Sequence, residues 1–312
     1  MIEVKGLVKR YGSLTAVDDI SFTVHRGEIF GILGPNGAGK TTTLEIIEGL
    51  QRPTTGQTLV LGIDTHRNPA AVKERIGVQI QASAYFDYLT LDEILTLFGS
   101  FYRRRIPSRE LLKRVGLLDR ARTTLKKLSG GQKQRFTVAA SLLNDPEVVI
   151  LDEPTTGLDP QARRSLWQLI QQIHSDGKTV ILTTHYMEEA QTLCSRVAIM
   201  DMGRIVALDT PANLLRGLAS PYAVKMITSR SLLSHEAESL QRSPDNILSF
   251  GSIQDGTAHG HSYQLRVRNA PQAVAHVLAW AAAHDITLAH LEVVPASLED
   301  VFLELTGKEL RD

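Results

Sequence analysis

The chain has 312 residues, which is enough for one large or two ordinary domains. Its 43% hydrophobic and 22% charged content is that of a globular protein, and 34 basic residues balance 34 acidic ones, so no net field favours nucleic acid or anionic lipid. The single cysteine, Cys194, excludes an intrachain disulfide framework.

Neither a signal peptide nor a membrane helix is predicted. The first residues, MIEVKG, lack the apolar stretch of a signal peptide. No uninterrupted apolar run approaches the roughly 20 residues that a membrane helix needs. We therefore expect a soluble chain that serves a membrane only through a partner.

Short strands with turns are predicted before residue 34. Their apolar or alternating runs cover residues 2–4, 16–24 and 28–33. Tyr11 and Gly12 lie in the first turn. An exposed aromatic ring there either stacks on a nucleotide base or simply belongs to the turn, and the residues alone leave both interpretations open.

Residues 34–42, GPNGAGKTT, fit the pattern G-x-x-x-x-G-K-[ST] and lie between a strand-like run and a segment with helical spacing. Glycines let backbone N–H groups point at an anion, and a helix N-terminus adds partial positive charge. The pattern predicts a phosphate-binding loop in which Lys40 reaches the β- and γ-phosphates and Thr41 offers its hydroxyl to Mg²⁺. The predicted nucleotide-binding residues of this loop are Gly34, Pro35, Asn36, Gly37, Ala38, Gly39, Lys40, Thr41 and Thr42.

Strands and helices alternate after the loop. From about residue 84 to residue 145 apolar residues recur every three or four positions, which indicates a helical insertion. Further strands are predicted at residues 58–62, 75–81, 148–151 and 178–183, and a helix at 162–174. This alternation favours an α/β fold with a largely parallel sheet covered on both faces.

The pattern changes near Pro211. We assign residues 1–215 to one domain and residues 216–312 to a small α+β accessory domain. The predicted strands of the second domain are 222–227, 263–267 and 287–293, its helices are 271–283 and 298–305, and residues 251–260 are expected to be a loop. His259 and His261 are interpreted as solvated loop residues, because a zinc site needs three or four ligands.

The apolar strand at residues 148–153 ends in two carboxylates, Asp152 and Glu153. Behind a phosphate-binding loop, Asp152 is placed to hold Mg²⁺ and Glu153 to orient and deprotonate a water molecule. His185 follows the strand at 178–183. Its position alone leaves a structural role and a contact with the γ-phosphate equally open.

Residues 128–135 read LSGGQKQR. Ser129 is a good N-cap for the helix that follows, but the glycines Gly130 and Gly131 weaken a helix start, so capping alone does not explain the motif. Glycines would let a second anion approach this helix N-terminus. One chain thus has two predicted phosphate-binding loops but one lysine-bearing site. In a head-to-tail pair of chains each loop would serve the other chain's nucleotide.

Together these motifs resemble those of the ATP-binding subunits of ABC transporters. Residues 34–42 resemble the Walker A loop, 128–132 the signature motif and 148–153 the Walker B strand with its catalytic glutamate, Glu153. The ordered set covers residues 1 to about 215. The resemblance implies a phosphate-loop ATPase that binds ATP and Mg²⁺.

The resemblance also implies roles for further residues. Tyr11 resembles the adenine-stacking aromatic, Asp159 belongs to the D-loop, and His185 resembles the switch histidine at the γ-phosphate. Gln79 and Gln81 both qualify as the glutamine that holds Mg²⁺, and we favour Gln81 for its spacing of eight residues from Leu89. The signature residues expected at a partner's ATP are Ser129, Gly130, Gly131 and Gln132.

Residues 295–307, PASLEDVFLELTG, resemble the accessory domain of the drug and polyketide exporter branch, the daunorubicin-resistance type. The resemblance implies an ATPase subunit at the cytoplasmic face of the cell membrane, working as a homodimer or heterodimer with separate permease subunits and without nucleic acid. The alternative is a soluble ABC-type ATPase acting on a ribosome or DNA-repair complex, although such chains usually carry two cassettes or coiled-coil arms. Two further interpretations have less support. Residues 295–307 argue against an importer subunit, and Glu153 argues against a nucleotide-binding structural protein.

Residues 84–88, AYFDY, begin three residues after Gln81 and join the sheet to the helical insertion. Their aromatic rings are either core residues or, because aromatic residues are enriched as interface anchors, the contact with a membrane subunit. The family docks a short membrane-subunit helix in this cleft, so we predict that Phe86 and Tyr88 belong to that contact.

Overall fold

The computed structural model describes residues 1–79, 86, 88–241, 247–253 and 261–307. They fall into two compact units, one within Met1–Pro211 and the other within Ala212–Glu309. The domain boundary expected at 215 lies inside the helix Pro211–Arg216. Gln81, residues 84, 85 and 87 of the predicted contact segment, and His259 lie outside the described residues.

The first unit contains an α/β core. Its strands are β1 (Ile2–Tyr11), β2 (Leu14–Val24), β3 (Ile29–Leu33), β4 (Thr55–Val60), β5 (Ile63–Asp64), β6 (Ile76–Val78), β7 (Val148–Asp152), β8 (Thr179–Thr184), β9 (Arg196–Asp201) and β10 (Arg204–Asp209). Its helices are α1 (Lys40–Ile47), α2 (Pro69–Lys73), α3 (Leu91–Gly99), α4 (Ser108–Arg114), α5 (Gly130–Ser141), α6 (Pro160–Ser175), α7 (Met187–Leu193) and α8 (Pro211–Arg216), the last crossing the division.

A six-stranded sheet in the order β10-β9-β3-β8-β7-β6 forms the centre of this unit. Strands β9, β3, β8, β7 and β6 are parallel, and β10 is an antiparallel edge strand. Every residue of β3 and β8 is buried, as expected for strands covered on both faces. The predicted parallel sheet is confirmed, and it places the carboxyl ends of β3, β7 and β8 side by side.

A second, antiparallel sheet has the order β2-β1-β4-β5. The sequence interpretation was wrong here, because it gave residues 2–4 as a short strand and placed Tyr11 in a turn. Strand β1 runs to Tyr11, which pairs with Leu14 of β2. Gly6 has φ +56° and lies within the register shift between Val4 and Leu7, so the bulge interrupts the alternation by which a single long strand is recognised.

The helical insertion begins at a capping box, in which Thr90 and Glu93 exchange side-chain and backbone hydrogen bonds at the start of α3. Its core is made of leucine, isoleucine and valine side chains with helical spacing. These buried residues are Leu91, Ile94, Leu95, Leu111, Leu112 and Val115. In the part of the chain that the structure describes, no helix is long and apolar enough to cross a bilayer.

The second unit contains β11 (Tyr222–Thr228), β12 (Ile247–Ile253), β13 (His261–Val267), β14 (Leu288–Pro295), α9 (Ser234–Gln241), α10 (Ala270–Ala283) and α11 (Leu298–Thr306). Its antiparallel sheet has the order β12-β13-β11-β14, with a core that includes Val224, Leu265 and Trp280. The expectation of a loop over 251–260 was wrong at its start, which belongs to β12. His261 begins β13 and pairs with Thr228.

Candidate active site

The loop at residues 34–39 connects β3 to α1, and two of its glycines are required by close backbone contacts. A Cβ on Gly34 would lie 2.3 Å from the Met200 carbonyl oxygen. A Cβ on Gly39 would lie 2.3 Å from the Ala16 carbonyl oxygen, and Gly39 has a left-handed φ of +98°. The loop is therefore held between β9 and β2, with its tip residues Asn36, Gly37 exposed.

The start of α1 fits a phosphate group. Gly39 occupies the N-cap position, where it offers no side chain, and the first turn carries no acidic residue. The first N–H groups of a helix have no intrahelical partner, and their partial positive charge attracts anions. An anion at this terminus would meet the N–H groups of α1 and the exposed Thr41 hydroxyl.

Lys40 is almost completely buried, at 4% exposure. Its Nζ donates to the carbonyl oxygens of Gly34 at 2.8 Å and Pro35 at 3.1 Å. The same Nζ lies 3.1 Å from Oε1 of Glu153. The ammonium group thus points across the loop towards the end of β7. Phosphate oxygens could replace the carbonyl and carboxylate oxygens as its partners there.

Oxygen donors suited to Mg²⁺ meet beside Lys40. Thr41 Oγ1 lies 3.4 Å from Asp152 Oδ1, and the Thr183 hydroxyl donates to the same Oδ1. A hydroxyl and a carboxylate are hard ligands, and Mg²⁺ commonly takes only one or two protein groups together with substrate phosphates. Thr41 and Asp152 would therefore hold Mg²⁺, which supplies positive charge to the phosphates when it is bound.

The glutamine expected to complete the metal site remains a prediction, since Gln81 lies outside the described residues. Gln79 extends the pairing of β6 with β7 through its N–H, which donates to the Ile150 carbonyl at 3.0 Å. Its side-chain Oε1 is buried and has no hydrogen-bond partner among the described residues. This orphaned acceptor keeps Gln79 available as the alternative ligand.

Glu153 follows β7 in a left-handed conformation, with φ 45°. Its N–H donates to Thr183 Oγ1 at 2.9 Å, and Thr156 Oγ1 donates to its Oε2 at 3.1 Å. Burial raises the pKa of this carboxyl group, but Lys40 and His185 together lower the pKa below its ordinary value. The Glu153 carboxyl group is thus ionised, and three side chains contact it, those of Lys40, Thr156 and His185.

His185 closes the cluster. Its Nδ1 lies 3.2 Å from Glu153 Oε2, although the two atoms are not aligned as a hydrogen bond. Its side chain is 12% exposed, and the loop after β8 brings it to the carboxyl ends of β7 and β3. Lys40, the adjacent acids Asp152 and Glu153, and His185 therefore lie together, although they come from three distant parts of the sequence.

Tyr11 is 43% exposed. Its hydroxyl donates to Gln51 Oε1, and Lys9 Nζ lies 4.8 Å from the ring centroid. The ring is accessible for stacking, which stays a prediction.

The signature motif forms a different cleft of about 320 Å³, whose lining includes Ser129, Gln132 and Asp159. Ser129 Oγ accepts from the Gln132 N–H at 3.3 Å, while the Gln132 side chain accepts from the Ser129 N–H at 3.1 Å. Asp159 caps α6. A Cβ on Gly131 would lie 3.0 Å from Ala162 Cβ, so this glycine lets α5 approach α6. Among the described residues no hydrogen bond or ion pair joins Ser129 or Gln132 to the Lys40 loop.

Sequence reasoning missed Thr183, whose hydroxyl donates to the Asp152 carboxylate, and Thr156, whose hydroxyl donates to the Glu153 carboxylate. Thr183 is the cross-strand partner of Asp152. Its position at the end of a predicted parallel strand was a usable signal, since the ends of neighbouring parallel strands meet at one edge.

Comparison with known proteins agrees with this geometry. The ABC transporter family profile matches residues 17–156. The Nod factor export ATP-binding protein I of Ralstonia nicotianae is 37% identical over 324 residues, which cover 100% of this chain and 95% of that protein. The linearmycin resistance ATP-binding protein LnrL of Bacillus subtilis is 37% identical over 319 residues, which cover 100% of this chain and 100% of that protein.

Among solved structures, a dimeric ATP-binding cassette in a post-hydrolysis state bound to ADP and Pi superposes with a TM-score of 0.61 at 29% identity, covering 67% of this chain and 98% of that one. This likeness confirms the predicted phosphate-loop fold. The chain therefore belongs to the ABC transporter family, among its ATP-hydrolysing, ATP-binding subunits.

Proposed function

We propose that this chain is the ATPase subunit of an exporter and powers separate membrane-spanning subunits from the cytoplasmic face of the membrane. The observation that carries the proposal is the convergence of Lys40, Glu153 and His185 at one end of a parallel sheet. The relatives named for Nod factor export and linearmycin resistance support export over import. The cargo would be selected by the membrane subunits.

In the proposed reaction, Lys40 binds the β- and γ-phosphates, and Thr41 and Asp152 hold Mg²⁺ together with Gln81 or Gln79. Glu153 orients the attacking water and accepts its proton. His185, beside Glu153, contacts the γ-phosphate. Most of the rate comes from positioning and from charge stabilisation, because phosphoryl transfer requires little covalent chemistry from the protein.

Two cassettes, identical or different, are proposed to form a head-to-tail dimer that encloses two ATP molecules. Each ATP would lie between the Lys40 loop of one chain and the Ser129 cleft of the other. The dimeric form of the similar solved cassette supports this arrangement. Binding of ATP would close the dimer, and hydrolysis would reopen it.

The test is Glu153→Gln, which keeps the size of the side chain but removes the proton acceptor. We expect turnover to fall by about 10²–10⁴. Because ATP then persists, size-exclusion chromatography with Mg²⁺-ATP should show a nucleotide-dependent dimer. Glu188→Gln, at an exposed glutamate of α7, is the control and should retain wild-type turnover. Multiple turnover by Glu153→Gln at the wild-type rate would contradict the assignment.

The export part of the proposal requires the membrane subunits. Where a neighbouring reading frame encodes a protein with apolar spans of membrane-helix length, the chain co-expressed with that protein should be retained in washed membranes, and it should be recovered in the supernatant when that protein is omitted. Association of the purified chain with ribosomes instead would favour the alternative function.

A further inference from the structure

Two contacts join α6 to the start of α7 behind His185. The guanidinium carbon of Arg163 lies 4.0 Å from the centroid of the Tyr186 ring, which is a cation–π contact. One turn further along α6, the indole N–H of Trp167 donates to Glu189 Oε1 at 2.9 Å. Both Trp167 and Glu189 are buried. The beginning of α7 is therefore fixed on α6 at two points.

The Tyr186 ring also contacts His185. The two ring centroids are 4.1 Å apart, and the planes are inclined by 44°. The Tyr186 N–H donates to Thr184 Oγ1 at 2.9 Å, which sets the path of the chain between β8 and α7. One aromatic ring thus touches the Arg163 guanidinium and the His185 imidazole.

Arg163 is in turn tied to the start of α6. The backbone N–H of Arg163 donates to the backbone carbonyl oxygen of Asp159 at 2.9 Å, in the first turn of the helix. The Asp159 carboxylate caps the same turn by accepting from the N–H groups of Gln161 and Ala162 at 3.0 and 2.9 Å. Asp159 also lines the cleft that contains Ser129. The contacts therefore run from that cleft to the side chain beside Glu153.

We infer that Arg163 and Tyr186 are positioning residues for His185: the guanidinium holds the Tyr186 ring, and the ring sets the place of the imidazole. This inference rests on the proposed role of His185 in ATP hydrolysis. The Trp167–Glu189 hydrogen bond joins α6 to α7 through two other side chains and does not involve His185.

The variants come in matched pairs. Arg163→Gln removes the cation, and Arg164→Gln changes the neighbouring, exposed arginine of α6. Tyr186→Leu removes the ring, and Tyr186→Phe keeps it. We expect Arg163→Gln and Tyr186→Leu to lower kcat on the order of tenfold, because a misplacement of about 1 Å can cost about 10²-fold and a smaller one costs less, with KM for ATP changed less than about twofold. Arg164→Gln and Tyr186→Phe should stay near wild type.

A double-mutant cycle separates positioning from general support of the fold. In a His185→Ala background, Arg163→Gln should produce little further loss, because its target is gone. If Arg163→Gln lowers the rate by the same factor with and without His185, the contact acts through the fold alone and the inference is overturned.

Histidine NMR tests the placement without turnover. The His185 Cε1–H resonance, identified by its loss in His185→Ala, should move in Arg163→Gln and Tyr186→Leu and stay unchanged in Arg164→Gln. No movement in Arg163→Gln would overturn the inference and leave the proposed function intact. Wild-type turnover by His185→Ala would instead refute the role of His185 in the proposed function, and the inference with it, whatever the resonances show.

Discussion

Lys40 Nζ lies 3.1 Å from Glu153 Oε1, so the cation that is to hold ATP and the carboxylate that is to activate water are paired with each other. Both side chains are largely buried, at 4% and 24% exposure, so solvent screens the pair weakly. The γ-phosphate would compete with Glu153 for Lys40. When ATP binds, its γ-phosphate would therefore take the place of Glu153 at Lys40, and the Glu153 carboxylate would become free to contact water in the same step.

This pairing predicts that Glu153→Gln binds ATP more tightly than the wild-type chain does. The neutral amide competes less for Lys40 and does not repel the phosphate. We expect an affinity gain on the order of tenfold, since hydrogen bonds to charged groups contribute about 1.5–3 kcal/mol and only part of this is recovered. Calorimetric titration with non-hydrolysable ATP measures it, with Glu188→Gln as the control. An unchanged or weaker affinity would show that Glu153 does not compete with the nucleotide.

Stability should respond to pH through Glu48, which follows α1 and is only 5% exposed. Burial, with the nearby carboxylates of Asp152 and Glu45, raises the pKa of Glu48 to about 7. A carboxyl group whose folded-state pKa is raised contributes stability that is fully present below its unfolded value and is lost as the pH rises through 7.

We therefore expect Glu48→Gln to stabilise the nucleotide-free protein by roughly 3 kcal/mol at pH 8 and by less than about 1 kcal/mol at pH 5. Urea unfolding at the two pH values provides the measurement. An equal gain at both would mean that burial of the charge is not the cause. Glu188→Gln should be neutral at both.

The sequence predicted local features of the site better than distant ones. The loop at 34–42 and the acids at 152 and 153 were identified because each motif is continuous and its chemistry depends on near neighbours. The role of Thr183 depends on the register in which Asp152 pairs with it, which no short motif encodes. The Lys40–Glu153 contact likewise depends on the strand order, in which β8 separates β3, the strand before Lys40, from β7, the strand before Glu153.

The same limit explains the errors in the fold. Strand β1 was shortened because the bulge at Gly6 breaks its alternation. Strand β12 was not predicted, and its residues Gly251 and Ser252, both exposed, have the composition of a loop. Its pairing with β13 stabilises the strand, and that partner lies beyond residue 260.

Ser129 should act on the partner's nucleotide. When a Lys40→Ala chain is mixed with a Ser129→Arg chain, each inactive alone, the mixed dimer has one intact site, so we expect partial recovery of ATPase activity. Ser129→Arg also removes an N-cap worth about 1 kcal/mol, which should lower stability but leave the chain folded. Mixing two Lys40→Ala preparations is the control. Recovery in isolated monomers would contradict the head-to-tail arrangement.

Tyr11 should contribute to ATP affinity by stacking on adenine. We expect Tyr11→Ala to weaken binding by roughly 1–3 kcal/mol, the range for bases stacked on aromatic side chains. Tyr11→Phe retains the ring and loses only the hydrogen bond to Gln51, so it should bind nearly as well as wild type. Leu14→Ala, at the cross-strand neighbour, serves as the control in the same titration. Equal affinity of Tyr11→Ala and wild type would place adenine elsewhere.

Phe86 and Tyr88 remain our predicted contact with the membrane subunit, and their exposure bears on the alternative that they are core residues. Phe86 is 56% exposed and Tyr88 92% exposed. Lys126 Nζ lies 5.7 Å from the Tyr88 ring centroid, so the ring stands at the surface of the helical insertion. Side chains this accessible contribute little to the hydrophobic core, so the core interpretation of these two rings is wrong.

We expect Phe86→Ala and Tyr88→Ala to leave the free energy of unfolding within about 0.5 kcal/mol of wild type, as surface substitutions usually do. Basal ATPase activity of the isolated chain should also be unchanged. Co-purification with the membrane subunit, or transport, should fall, because aromatic residues at an interface contribute a large share of its binding energy. Phe101→Ala, at another exposed ring of the helical insertion, is the control and should retain the partner. Full retention of the partner by Phe86→Ala and Tyr88→Ala, with unchanged stability, would show that the membrane subunit binds elsewhere.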